Sequence, residues 1–109
     1  MENTTDTVLA EVRAEREKQD RKWGEQNHDN FVWTAILGEE VGEAAQAALH
    51  TKFGGHACGK LREELIQVAA VAVAWVECMD RNACPKCGGY AAVSLDRAVV
   101  CATCGHEIA

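Results

Sequence analysis

The sequence predicts a mainly α-helical chain that ends in a small β unit, and three observations lead there. Apolar residues recur at three- and four-residue steps through two long segments between positions 31 and 81. Polar or glycine-rich breaks separate those segments from each other and from an amphipathic first segment. From Asn82 the texture changes to short β-type runs framed by two Cys-X-X-Cys pairs. The 109 residues are the length of one ordinary domain, 48% hydrophobic content allows a core, and a single proline argues against a disordered chain.

The first helix is expected from about Thr7 to Lys22. Val8, Leu9 and Val12 give it a short apolar stripe, and Arg13, Glu17 and Arg21 stand at ion-pairing spacing. Trp23-Gly24 ends it, and residues 24–30 form a polar loop. The second helix is expected from about Phe31 to His50, burying a face of Ile36, Leu37, Val41, Ala44, Ala45, Ala48 and Leu49. The glycines of FGGHACG break the chain before a helix from Lys60 to about Arg81, with Leu61, Leu65, Val68, Ala72 and Trp75 on one face. Four helical segments are expected in all, the fourth arising where the last helix divides or the first breaks near Ala14.

Leu65 to Val76 holds one polar residue in twelve. A helix apolar all round must be covered all round, and a short chain encloses one poorly. A second copy is expected to cover it, in a homodimer or tetramer. Twelve residues are too few for a bilayer, which needs about 20. MENTTDTVLAEV carries no secretory signal pattern. The expectation is a soluble, cytoplasmic protein in two units, residues 1–82 helical and residues 83–109 a metal-bound ribbon. The net charge of −6 lies in the first unit, with 15 acids and 9 bases; the second has 2 of each. Neither offers the basic surface that a phosphate backbone requires, so nucleic acid is an unlikely partner.

Cys84-Pro-Lys-Cys87-Gly and Cys101-Ala-Thr-Cys104-Gly are separated by 13 residues, read as strands Tyr90–Leu95 and Ala98–Cys101 joined at Asp96-Arg97. Each pair brings two sulfurs to one ion, and the following glycine permits the tight backbone beneath them. Four thiolates suit one tetrahedral, structural zinc ion, with no ligand position open for chemistry. A redox dithiol is the alternative, and His106 could stand in for a cysteine. Cys58 and Cys78 read as small buried apolar side chains.

Glu39-Glu40-Val41-Gly42-Glu43 sets three carboxylates within about 100° of arc on a helix. Like charges so placed repel unless a cation offsets them, and hard oxygen ligands suit magnesium or manganese, which in turn hold phosphates. The bland alternative is a solvated acidic face. Glu64 and Gln67, the one polar member of the apolar run, share a face of the next helix. They could meet Glu40 and Glu43 across two packed antiparallel helices.

The order Glu39-Glu40-x-x-Glu43 and then, after 20 residues, Glu64-x-x-Gln67 resembles the EExxE and ExxD motifs of the all-α nucleoside triphosphate pyrophosphatase superfamily. These are the MazG-like proteins and the dCTP pyrophosphatases, and the general look is that of the short, phage-type MazG-like proteins. Asp20 to His28 is similar to the segment that precedes those motifs in the family. The resemblance covers residues 8–80 and implies a MazG-like helical bundle that hydrolyses a nucleoside triphosphate to monophosphate and pyrophosphate. It implies magnesium ligation by Glu40, Glu43, Glu64 and Gln67, with Glu39 as a further ligand or the group that orients water. Trp23, His28 and Trp33 would stack near the base, and Lys52, Lys60 or Arg16 would face the phosphates. Gln67 stands where the family carries Asp, so its amide oxygen can coordinate but adds no charge. Two other readings remain open: a nucleotide-binding module that has lost catalysis and docks a partner through the ribbon, and a zinc-dependent interaction protein whose acidic face is merely solvated.

Overall fold

The computed structural model describes residues 3–89, 91–93, 99–101 and 104–107. Three helices, not four, form most of it: α1 (Thr4–Trp23), α2 (Asn30–Phe53) and α3 (Leu61–Arg81). Neither α1 nor α3 divides. Each break has a local cause. Asn3 caps α1 by accepting the Asp6 N–H at 2.7 Å, and Asp29 caps α2 by accepting the Val32 N–H at 2.8 Å. These caps explain why both helices start slightly earlier than apolar periodicity suggested. Gly54 ends α2, and a side chain at Gly55, where φ is 145°, would lie 2.4 Å from the His50 ring. His50 Nδ1 in turn accepts the Ala57 N–H at 3.1 Å, tying down the turn into α3.

α3 packs against both α2 and α1. It does so with the line Ala70, Val71, Ala74 and Cys78, whereas Leu65, Ala72 and Val76 of the apolar run are exposed. The face expected from sequence was Leu61, Leu65, Val68, Ala72 and Trp75. Where every side is apolar, periodicity has no direction, and small side chains win the interface because they let backbones approach. The core is Trp33, Val71, Ala74 and Cys78, with Ile36, Leu37 and Trp75 packed against it. On α2, Ala44 and Ala47 are buried, while Val41, Ala45, Ala48 and Leu49 stay exposed because α3 covers only one side. The expected Arg13–Glu17–Arg21 ladder does not form. Arg16 bonds Asp20 at 3.1 Å and Glu77 of α3 at 2.7 Å instead.

The loop between α1 and α2 is fastened to the far end of α3. Asn27 Oδ1 accepts from Arg81 Nη2 at 3.2 Å and from Asn82 Nδ2 at 3.2 Å, and Arg81 Nη2 also donates to the Gln26 carbonyl at 2.9 Å. After α3 come β1 (Ala91–Val93) and β2 (Val99–Cys101), antiparallel with Ala92 opposite Val100. The expected turn at Asp96-Arg97, with Tyr90, residues 94–95 and Ala98, lies outside the described residues. No helix among the described residues is long and apolar enough to cross a membrane.

Candidate metal centres and the cavity beside them

The two cysteine pairs are closed alike by the glycine that follows each. Gly88 and Gly105 both take φ 77°, and each donates its N–H at 2.9 Å to the carbonyl of the first cysteine of its pair, Cys84 or Cys101. A residue with a Cβ would be strained at that φ. The four sulfurs lie within 4.8 Å of one another, with Cys84 and Cys104 at 3.9 Å and Cys87 and Cys101 at 3.5 Å. A tetrahedron with zinc–sulfur arms of about 2.3 Å has edges of about 3.8 Å, so the spacing fits that ion. It is far longer than a disulfide, about 2.05 Å. Backbone N–H groups point at three of the sulfurs: Lys86 at Cys84 (3.4 Å), Gly89 at Cys87 (3.3 Å) and Cys104 at Cys101 (3.3 Å). The Gly89 N–H favours the Cys87 thiolate, but without a cation the sulfurs of Cys101 and Cys104 outweigh it and push the thiol up to about 12. A divalent ion reverses that balance. The four cysteines therefore cluster where a structural metal such as zinc could bind. His106 is outside this group; its carbonyl accepts the Cys101 N–H at 2.8 Å. Cys78 is buried as expected, but Cys58 is exposed.

The second cluster forms between α2 and α3. Glu40, Glu43 and Glu64 each bring a carboxylate oxygen to within 4.8 Å of the others. Glu40 Oε2 and Glu64 Oε2 are buried with no hydrogen-bond partner. Burial raises Glu40 above its ordinary value, reinforced by the charges of Glu43, Glu64, Glu39 and Glu15. Burial also raises Glu64, helped by the adjacent carboxylate of Glu43 and opposed by Lys60. Negative oxygens held together without a partner cost free energy that a divalent cation would recover. On this chemistry the oxygens fit magnesium or manganese.

A cavity of about 470 Å³ opens beside the carboxylates, walled by α1, the loop after it, α2 and α3. Glu40 and Gln67 stand in its wall with Trp33, Ile36, Val71 and Ala74, and α1 contributes Glu15, Arg16, Lys18 and Lys22. Arg16 is mostly buried; burial works against its charge, but Glu77 and Asp20 more than compensate.

The sequence-derived site residues divide accordingly. Glu40, Glu43 and Glu64 come together, with Gln67 in the adjoining wall. Glu39 is exposed, outside the group of three and outside the cavity wall, and reaches Glu40 only as charge. Trp23 lines the cavity, 58% exposed, with the Lys22 ammonium 4.6 Å over its ring. His28 also lines it and meets Trp33 edge-on at 5.0 Å. Trp33 is only 2% exposed and stacks on Trp75 at 6.4 Å, so its ring serves the core rather than offering a free stacking face. Its indole N–H is buried without a partner. Lys52 is not in the wall; its ammonium sits 5.5 Å over Phe53 at the opposite end of α2 from Trp33. Arg81, Lys18, Lys22 and Glu15 escaped notice in the sequence. The signal for Glu15 was present: Val8, Val12, Glu15 and Gln19 follow one helical line, in which the buried stripe of α1 turns polar.

Comparison with protein-family models, with curated proteins and with solved structures finds no match.

Proposed function

We propose that the chain is a magnesium- or manganese-dependent nucleoside triphosphate pyrophosphohydrolase, releasing monophosphate and pyrophosphate, that serves nucleotide-pool control. The observation that carries this reading is the group Glu40, Glu43 and Glu64, with two buried, unpartnered oxygens, at the edge of a cavity of nucleotide size. A divalent cation there would offset charge on phosphate oxygens and lower the pKa of a bound water. Glu40, Glu43 and Glu64 are its ligands, and Gln67 offers a neutral amide oxygen. Lys18 and Lys22 make no ion pair with a described residue and remain available for phosphates, whereas Arg16 is engaged by Glu77 and Asp20. His28 and Trp23 border the end of the cavity where a base would lie. Residues 83–109 form a zinc ribbon on this reading, and a second copy of the chain covers the exposed side of α3.

The test is a panel of nucleoside triphosphates with magnesium, read by pyrophosphate release, on the protein and on Glu40→Gln and Glu64→Gln. Removing either charge should cost about 10²–10³ in rate, the scale seen when one donor to a transition-state charge is lost. Unchanged turnover and unchanged magnesium affinity in both variants would mean a solvated acidic face. The neutral Gln67 in the cavity wall favours one second reading, a nucleotide-binding module without catalysis. Magnesium and nucleotide binding that both depend on Glu40, in a protein that turns over no nucleotide, would select it.

A further inference from the structure

The loop between α1 and α2 gives Gly24, Glu25, Gln26 and His28 to the wall of the large cavity. Among the described residues, residues 25–28 make no backbone–backbone hydrogen bond. Side chains hold the loop instead, and most of them meet at one atom. Asn27 Oδ1 accepts from Arg81 Nη2 at 3.2 Å, from Arg81 Nε at 3.4 Å and from Asn82 Nδ2 at 3.2 Å. Three donors thus share an oxygen with two lone pairs. Arg81, itself in the cavity wall, also donates to the Gln26 carbonyl at 2.9 Å and pairs with Glu25 at 3.1 Å. These ties are exposed to solvent, where each is weak, and a segment held only by such ties opens before the helices do.

The ends of the loop are fixed and its middle is not. Gly24 closes α1 by donating its N–H to the Asp20 carbonyl at 2.8 Å, with φ at 73° and nothing within 4 Å of a side chain placed there. Asp29 caps α2, and Asn30 just beyond it accepts the Trp75 indole N–H at 3.1 Å. Such element-terminal positions are where hinges sit. Beneath the loop lies Cys78, 4% exposed, its sulfur 3.8 Å from Asn27 Oδ1 and 3.8 Å from the His28 carbonyl. Lifting the loop uncovers that thiol.

We infer that residues 24–29 form a flap on the cavity, hinged at Gly24 and Asp29 and latched to the end of α3 through Asn27, which opens while the three helices stay folded. Opening takes Glu25, Gln26 and His28 out of the wall and widens the cavity. A ligand that touches them favours the closed state. Asn27, Arg81 and Asn82 are positioning residues, and together they set how often the flap is open. The inference goes beyond the proposed function and does not depend on which ligand the cavity takes.

The experiment uses Cys78 as the reporter, in the full chain kept in zinc. Alkylation by iodoacetamide is followed at each cysteine by peptide mass analysis, over a range of low urea concentrations. In the unmodified protein, Cys78 should react with a much shallower urea dependence than helix unfolding followed by circular dichroism, the mark of a local opening. Asn27→Ala should speed the reaction at Cys78 about tenfold, and Arg81→Met or Asn82→Ala about threefold, the scale for losing one or more hydrogen bonds from the latch. Arg62→Gln breaks the Arg62–Glu11 pair at the other end of α3 and should leave Cys78 unchanged. Exposed Cys58 should react at one rate in every variant. If Cys78 reacts only as fast as the helices unfold, or if Asn27→Ala speeds it no more than Arg62→Gln, the inference is overturned. It is equally overturned if the acceleration in Asn27→Ala matches the stability its helices lose in urea, since the opening would then be global.

Discussion

The sulfur cluster and the carboxylate cluster solve the same electrostatic problem by opposite means. Four cysteines come in two pairs, each closed by a left-handed glycine, and the sulfurs lie at the spacing of a filled tetrahedron. Glu40, Glu43 and Glu64 come from two helices that meet only when the core forms, and beside them lies open space. The first site is encoded locally and closed, which suits a metal that holds structure. The second is encoded by packing and open, which suits a metal that must also meet a substrate. Soft sulfur suits zinc and hard oxygen suits magnesium, so on the proposed reading the two clusters would not compete for one ion.

The sharpest way to break this comparison is to remove a sulfur. One zinc per chain is expected by metal analysis, and Cys87→Ser or Cys104→Ser should release it. Zinc binding supplies free energy on the order of 10 kcal/mol to a unit this small, so the ribbon should unfold. The helical signal in far-ultraviolet circular dichroism should persist, because among the described residues the helical core of Trp33, Val71, Ala74 and Cys78, with Ile36, Leu37 and Trp75 packed against it, lies wholly before Asn82. Loss of the helices together with the zinc would show that the two regions fold as one.

A smaller effect separates the covered and uncovered sides of α3. Leu65 and Val76 are more than half exposed and Val73 is 42% exposed, all in the run that the sequence reading expected a second copy to cover. Full burial of such a side chain is worth about 1.5–3 kcal/mol, and covering the exposed half of each recovers roughly half of that. Sedimentation at micromolar concentration should therefore find a dimer or tetramer, and Val73→Glu should shift it towards monomer. A stable monomer in the unmodified protein would mean that this side is simply solvated.

What could be read in the sequence follows the same division. The four cysteines were legible because a Cys-X-X-Cys-Gly turn is complete within a few residues. Glu40, Glu43 and Glu64 were legible because charges interrupting an apolar helix need a reason. Trp33 was not legible in its detail, because an aromatic ring near a polar loop can face either core or cavity, and both its stack on Trp75 and its place in the cavity wall follow from how α2 and α3 pack. Lys52 stands in the last turn of α2, far along the rod from Glu40 and outside the cavity wall. The pairing of Arg16 with Glu77, 61 positions apart, and the clamp of Arg81 on the α1–α2 loop depend on how the helices cross. No local pattern carries that information.

The finest difference between the regions lies in how pH acts on them once magnesium is removed and zinc retained. Glu40 and Glu64 are raised in the folded chain, chiefly by burial and then by neighbouring carboxylates. The folded state therefore binds more protons than the unfolded state between the ordinary value of 4.5 and the raised values. Where the folded state holds more protons, stability falls as pH rises. The penalty is absent below the ordinary value and fully present above the raised ones. Glu11, lowered by Arg62, acts in the opposite sense but in the window beneath 4.5, so the two effects do not cancel. The Tm of the magnesium-free protein should thus climb as pH is brought from 7 towards 4.5. Glu40→Gln should raise the Tm at pH 7 and flatten the profile. Magnesium should reverse the slope, because the carboxylates must be ionised to bind it, and its stabilisation should fade on acidification. A magnesium-free profile that falls steadily from pH 7 to 5, unchanged by Glu40→Gln, would mean that the carboxylates are separated and hydrated in solution, and the contrast with the sulfur site would lose its physical basis.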